Sequence, residues 1–376
     1  MALPPAQPAY ILRGHGSQIH SNTFIRSNSR LVTGDADGWI VIWSLATKRP
    51  VAVWRAHEGA ILGASAWGLE KLITHGKDNK LIVWRLSEED ESSMSIVLPV
   101  DVPPEPRKEP WLLHVLHVNT MNFCSFAQCQ LQSSDEELLI AVPNTLSSET
   151  VDIFHLPSSK RVRTVPSPPS FKGGMVMAVS LFYHPQNACL TVLAAYESGH
   201  TSVSQLANST WSHLYNAQAH TQPILSLDVS AARDFYLTSS ADAIIAKHPI
   251  PVAIENVIMA TESMPLKTLQ SKHAGQQSLR IRNDGKVFAT AGWDSRVRVY
   301  GTKGMKELAV LAWHKTGCYS VAFADVESTE SSGEDNELVK KETSMTVKEE
   351  RLWKAKTAHW LAAGSKDGKV SLWDIY

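Results

Sequence analysis

Thr33, Asp37 and His15 place a hydroxyl, a carboxylate and an imidazole within one short stretch of chain, and those are the ingredients of a nucleophilic triad. The same three types recur at matching distances as Thr74, Asp78 and His57, as Thr238, Asp242 and His220, and as Thr290, Asp294 and His273. An enzyme needs one such set, and four copies in one chain argue for a structural use. A ring follows each acid by six residues, as Trp43, Trp84, His248 and Tyr300. A fifth copy contains His314, Asp367 and Trp373, with Ala363 in the hydroxyl position and Ser365 two residues on, on the same strand face.

The elements that would carry these groups are strands. WIVIW (39–43), LIVW (81–84), RVRVY (296–300) and VSLW (370–373) are short, rich in β-branched and aromatic residues, and preceded by Asp, Gly or Asn turns. No segment shows sustained helical periodicity. His15 and His57 are 42 residues apart, an interval typical of a repeat architecture. The region between His57 and His220 has room for two weaker units, VLHVNTMNFCSF with LLIAVPNTLSSETVDIFHL and MVMAVSLFYHP with LTVLAAYESGHTSVSQL, in which Ser198 and Ser204 stand where Asp and Trp are expected.

These units resemble the WD-repeat family, in which a GH dipeptide opens and a WD dipeptide closes a unit of four strands, one propeller blade. Trp373-Asp374 is the literal WD here. The resemblance implies an all-β, seven-bladed propeller forming one domain over residues 1–376. It also implies that His, Asp, hydroxyl and aromatic ring form a buried hydrogen-bonded tetrad in each clear unit. Unpaired, the buried Asp and His would cost several kcal/mol, whereas the network satisfies both at about 1 kcal/mol net for each bond. Tyr300 and His248 would replace the Trp donor, and Ser204, lacking the Trp volume, predicts looser packing in the fourth unit. Because an open array would leave strand edges exposed, Tyr10-Ile11-Leu12 is expected to supply the fourth strand of the last blade and close the ring.

Two stretches interrupt the repeat. Residues 87–110, with PPEPRKEP, read as an extended linker between blades. Residues 325–357 enlarge the seventh unit and read as a polar, mobile insert on the bottom face, opposite the Asp turns. Ser331 and Ser332 each precede an acid by three residues, which suits an acid-directed kinase; a plain solvated insertion is the other reading. Lys160-Arg161-Val162-Arg163 suits either nuclear import or a solvated hairpin end.

The 36 basic and 37 acidic residues leave a formal charge of −1, which speaks against direct nucleic-acid or membrane binding. Four cysteines without zinc-ligand spacing fit a reduced compartment. No amino-terminal leader or apolar run of spanning length is visible, and GxxxxGK[ST], GxSxG, HExxH and a strand-following GxGxxG are missing. No cofactor, metal or small-molecule substrate is expected.

AYILRGH, AVPN, FKGGMVMAV, ATAGWDSRVRVY and LAAGSKDGKVSLWDIY are similar to stretches of the fungal ASTRA-associated family of WD-repeat type and its animal G-protein beta-subunit-like relatives. That resemblance implies a non-catalytic scaffold subunit of the ASTRA complex in the nucleus. Its partners would be protein subunits of ASTRA and of the TTT cochaperone, which serves phosphatidylinositol-3-kinase-related kinases. A heterotrimeric G-protein beta subunit is disfavoured because the nine residues before Tyr10 contain three prolines and leave no helix to hold gamma. A propeller enzyme would need acids or histidines on several innermost strands, where VNTMNF, MVMAVSL, ILSLDV and CYSVAFA offer Asp228 alone. Lys77, Asn79, Trp293, Ser295 and Lys366, beside the turn acids, are the expected top-face partner surface. Trp293 is either an interface anchor or packed on Arg296 or the next blade.

Overall fold

A computed structural model of the chain describes residues 6–101, 107–169, 172–253, 261–326 and 346–375. Alternating apolar and polar residues bounded by tight turns fold into seven antiparallel four-stranded sheets. Their innermost strands pack side by side around a central channel: a seven-bladed β-propeller. In each blade the turn between the second and third strands lies on the top face, and the turn between the first and second lies on the bottom. The last sheet takes three strands from 318–374 and its outermost strand, Tyr10–Arg13, from the amino-terminal end, with Leu12 opposite Val370. Leu12, Ile19, Leu31, Val370 and Leu372 are buried in one apolar cluster across that joint, each contributing about 1.5–3 kcal/mol by leaving water.

Three expectations are corrected here. WLLHVLH (Trp111–His117) pairs along Lys80–Arg85 as the outer strand of blade two, so the innermost strand of blade three is Ala127–Leu131 and not VNTMNF. Residues 118–126 then form a top-face loop. For the same reason the 87–110 stretch lies inside blade two, between its third and fourth strands, and not between blades.

That stretch is also no free spacer. It forms a 3-10 turn, Asp90–Ser93, that buries Glu91, whose carboxylate accepts from Arg30 at 2.8 and 3.0 Å and from Arg26. Beyond the turn, the Val53 N–H donates to Ser95 O and the Val100 N–H to Gly14 O. Leu98 packs on the core cluster at the ring joint. We call this segment the strap.

The third correction concerns 325–357. Its last third is helix α1, Val347–Thr357, started by a capping box in which the Thr346 hydroxyl accepts the Glu349 N–H and Glu349 accepts from Thr346. At the other end Asn28 and Asn283 each grip the backbone with both amide atoms, Asn28 at Asp325 and Asn283 at Val326. Ser331 and Ser332 lie outside the described residues.

Candidate functional site

The His-acid-hydroxyl-ring sets meet at the top of the blades, with differences from the linear reading. In blade two His57 Nδ1 lies 2.9 Å from Asp78, its Nε2 lies 2.8 Å from Thr74 Oγ1, and Trp84 donates its indole N–H to the same hydroxyl oxygen at 2.9 Å. A carboxylate can only accept, so Nδ1 carries the proton and Nε2 accepts from Thr74. Burial would raise Asp78, but the hydrogen bonds from His57 and from the Glu58 N–H outweigh it and hold the carboxyl below its usual range.

Blade one forms the same network from Asp35 and not Asp37. His15 contacts Asp35 and Thr33 at 2.7 Å each, and Trp43 donates to Thr33 at 2.9 Å. Asp35 also accepts the backbone N–H groups of Asp37 and Trp39, while the Asp37 side chain is exposed. The reason is positional. Blade two has Gly76 two residues after its Thr, where an added Cβ would lie 2.3 Å from the His57 ring. A side chain rooted at that position meets the imidazole directly, and in blade one that side chain is a carboxylate.

In blade five His220 joins Asp242 at 3.1 Å and Thr238 at 2.8 Å, and His248 takes the ring position, bonded to Thr238 and to the Tyr215 hydroxyl at 2.9 Å each. Burial, reinforced by His220, pushes His248 down to about 3. It is therefore neutral, accepting from Tyr215 and donating to Thr238.

Blade six lacks the expected set. The Arg298 guanidinium takes both Asp294 oxygens at 2.5 and 3.2 Å, a charge-assisted fork that an imidazole cannot match. His273 stands off at 3.6 Å and partly exposed, and the buried Thr290 and Tyr300 hydroxyls reach no hydrogen bond of regular geometry among the described residues. In blade seven the hydroxyl is Ser371 and not Ser365. Ser371 faces Ala363 across the sheet, contacts His314 at 2.9 Å and accepts from Trp373 at 2.8 Å. Asp367 is 3.5 Å from His314, and Ser365 instead donates to Gly317 O. In blade four Ser198 bonds His200 and Ser204 bonds His213, beside the buried Tyr215 and Tyr236.

The proposed surface residues occupy the top face. Lys77 is exposed with its ammonium 4.0 Å over the Phe123 ring. Asn79 and Ser295 hold left-handed turn positions, φ 63° and 66°, and Asn79 accepts from Thr120. Lys366 is exposed. Trp293 is 47 % exposed, donates its indole N–H to Gln277 at 2.8 Å and lies on Gly275, where a Cβ would come within 2.1 Å of the ring.

A ring of residues not singled out from the sequence joins them. Six innermost strands carry a register shift, or bulge, near their start, at His20, Leu62, Met177, Leu225, Gln277 and Tyr319. A bulge re-aims its side chain, and all six line one cavity of about 370 Å³ at the channel mouth. Phe123 completes the arc, with His20 stacked between it and Tyr319 at 5.8 and 5.7 Å. The recurring signal was a small residue straight after the bulge: IHS, ILG, VMA, ILS, QQS and CYS. Below the mouth Asp228 accepts the Ile281 N–H at 2.7 Å, and burial raises its pKa against the pull of Arg280. Among the described residues no three His, Cys, Asp or Glu side chains cluster to hold a metal, and no helix is long and apolar enough to cross a membrane.

Seven blades, four of them with an upper turn pinned by a His-centred network, around a mouth lined from most of the blades, define a propeller of the WD-repeat kind. Sequence comparison carries this further. The chain belongs to the ASTRA-associated protein 1 family, whose profile matches residues 8–373. It is 50 % identical to the ASTRA-associated protein 1 of Verticillium alfalfae over 98 % of this chain and 93 % of that one. With the protein of the same name from Pyricularia oryzae the identity is 46 % over 99 % and 98 %, and with that from Schizosaccharomyces pombe 30 % over 98 % and 99 %.

Proposed function

We propose that this propeller is a non-catalytic scaffold subunit of the ASTRA complex, acting in the nucleus in chromatin remodelling through protein contacts, and associated with the TTT cochaperone in the maturation of phosphatidylinositol-3-kinase-related kinases. The names of its relatives supply the complex. The observation that carries the scaffold role is the channel mouth, where Met121, Phe123 and Trp293 are 78, 53 and 47 % exposed around the bulge ring. Large side chains held on a rigid frame and left open to solvent are what a partner's hot spot meets. Lys77, Asn79, Ser295 and Lys366 would form the polar rim. The tetrads serve as the fasteners of that frame. Asp228, buried and accepting the Ile281 N–H beside the charge of Arg280, has the surroundings of a structural carboxyl.

The test is affinity purification of the tagged chain from nuclear extract, in wild type and as Trp293→Ala and Phe123→Ala. The wild type should recover ASTRA and TTT subunits in stoichiometric amounts. Each variant should unfold at an unchanged temperature and recover at least about tenfold less, as for a hot-spot truncation. Full recovery by both variants would move docking away from the mouth; loss of folding in Trp293→Ala would make that residue structural; failure of the wild type to recover ASTRA subunits would end the assignment.

A further inference from the structure

Helix α1 leaves almost all of its surface unpacked. Ala355 is its only buried residue, and Val347, Leu352 and Trp353 are 64, 36 and 48 % exposed. Contact with the propeller runs through the last turn, where Trp360 donates its indole N–H to Ala355 O at 2.9 Å and Asn28 reaches Lys356 O at 3.1 Å. An eleven-residue helix alone in water is marginal, yet this one carries a capping box at its start and a fixed anchor at its end.

Its charge is equally unmatched. Lys348, Arg351, Lys354 and Lys356 lie on a helix whose acids are Glu349, engaged in the cap, and Glu350. Lys48, from the bottom turn of blade one, sits 4.2 Å over the Trp360 ring, and burial together with repulsion from Lys354 pushes it down to about 8. Among the described residues no ion pair joins any of these five cations to a carboxylate. Apolar side chains and unneutralised cations therefore share one projecting element.

We propose that α1 is a second docking element, on the bottom face, for an acidic segment of a partner protein whose apolar side chains lie against Leu352 and Trp353 and whose carboxylates meet Lys348, Arg351 and Lys354. The mixture decides the class of partner. A phosphate backbone or an anionic membrane surface would use the cations alone, and so few cations are a weak polyanion site. An acidic amphipathic segment instead matches both the charge and the apolar contacts. The site shares no residue with the channel mouth, so a propeller so equipped can hold two partners at once.

The test uses the full chain and two fluorescein-labelled acidic peptides of identical composition, rich in Glu and Asp with Leu and Phe. One has its apolar residues at helical spacing and the other is scrambled. By anisotropy at about 150 mM salt, where bare charge attraction is screened beyond ~8 Å, the patterned peptide should bind at least about fivefold tighter than the scrambled one. Trp353→Ala and Lys354→Glu should each weaken it about tenfold, Trp353→Phe should restore most of it, and Trp293→Ala should leave it unchanged. These side chains are exposed, and circular dichroism should show every variant folded. Equal binding of the two peptides, or indifference to the α1 variants, overturns the proposal. So does tighter binding of duplex DNA or anionic vesicles that the same variants abolish, or binding seen only after the acids of residues 327–337 are neutralised, which would make the chain's own segment the occupant.

Discussion

His75 is fully buried, and neither ring nitrogen reaches a hydrogen-bond partner among the described residues; Phe126 lies edge-on to it at 6.0 Å. Burial, with His57 nearby, pushes its pKa from 6.5 down to about 3, and His248 is pushed down as far. A histidine with a depressed folded-state pKa contributes its full stability above the unfolded value near 6.5 and loses it as pH falls towards 3. Between 6.5 and an assay at pH 5 the unfolded chain takes a proton that the folded chain refuses. At about 1.4 kcal/mol for each pH unit this is about 2 kcal/mol for each histidine, or about 4 kcal/mol for the pair. His75→Leu, close in volume, removes one of the two terms and leaves no buried nitrogen without a partner. Urea unfolding followed by tryptophan fluorescence at pH 7.5 and 5 should show a variant about 1 kcal/mol more stable at pH 7.5 that loses about 2 kcal/mol less than wild type on acidification. Equal acid losses in the two chains would show that His75 does not stay neutral in the fold, and the reasoning would fail.

Asp35→Ala should destabilise by about 3 kcal/mol or more, since it strips His15 and two backbone N–H groups of a buried acceptor, whereas Asp37→Ala should change stability by less than about 0.5 kcal/mol; thermal unfolding of the pair tests which acid is the fastener. Ser371→Ala should cost about 1–3 kcal/mol by orphaning the Trp373 indole N–H and one His314 nitrogen, measured by urea midpoint. Glu91→Gln leaves the Arg26 and Arg30 guanidinium groups without their buried carboxylate. A loss of about 3–5 kcal/mol and faster proteolysis within residues 87–110 are expected, and an unchanged cleavage rate would show the strap to be held by other contacts.

The ring was legible in the sequence because its signal repeats: four histidines precede an acid by 21 or 22 residues and five acids precede a ring by six, and chance does not reproduce two spacings together. What linear counting cannot resolve is which of two candidates a strand turns inward. Asp35 and Asp37 have the same side-chain parity, and only the crowding around the imidazole selects the first. Ser371 belongs to the next strand, and its claim on His314 comes from facing Ala363 across the sheet, a relation between strands that spacing along one strand does not contain. Arg298 defeats His273 for Asp294 by charge, and a repeat template is blind to charge. Helix α1 had its capping box in plain view at Thr346 and Glu349, but with Ala355 alone buried it carries no apolar period to mark it. The six bulge residues were hidden for the opposite reason. They differ in type, from His20 to Gln277, and what they share is the small residue after each one.

The strap and the insert, remote in sequence, both return to the same joint. A propeller closed by strand pairing is weakest where its first and last strands meet, because there no peptide bond links the neighbours. Here Tyr10–Arg13 pairs with Lys369–Asp374; the strap ties the backbone at Gly14 just beyond that strand and packs the half-buried Leu98 on the cluster the two blades share; and Asn28 of blade one grips both ends of the insert, at Asp325 and Lys356. Long segments without such ties are uncommon inside compact domains. The two interruptions thus reinforce the one seam that the repeat leaves unsealed. It follows that α1 is fastened to blade one as well as to the blade that carries it, so a partner seated on the helix loads the closed seam and adds its binding free energy to the closure.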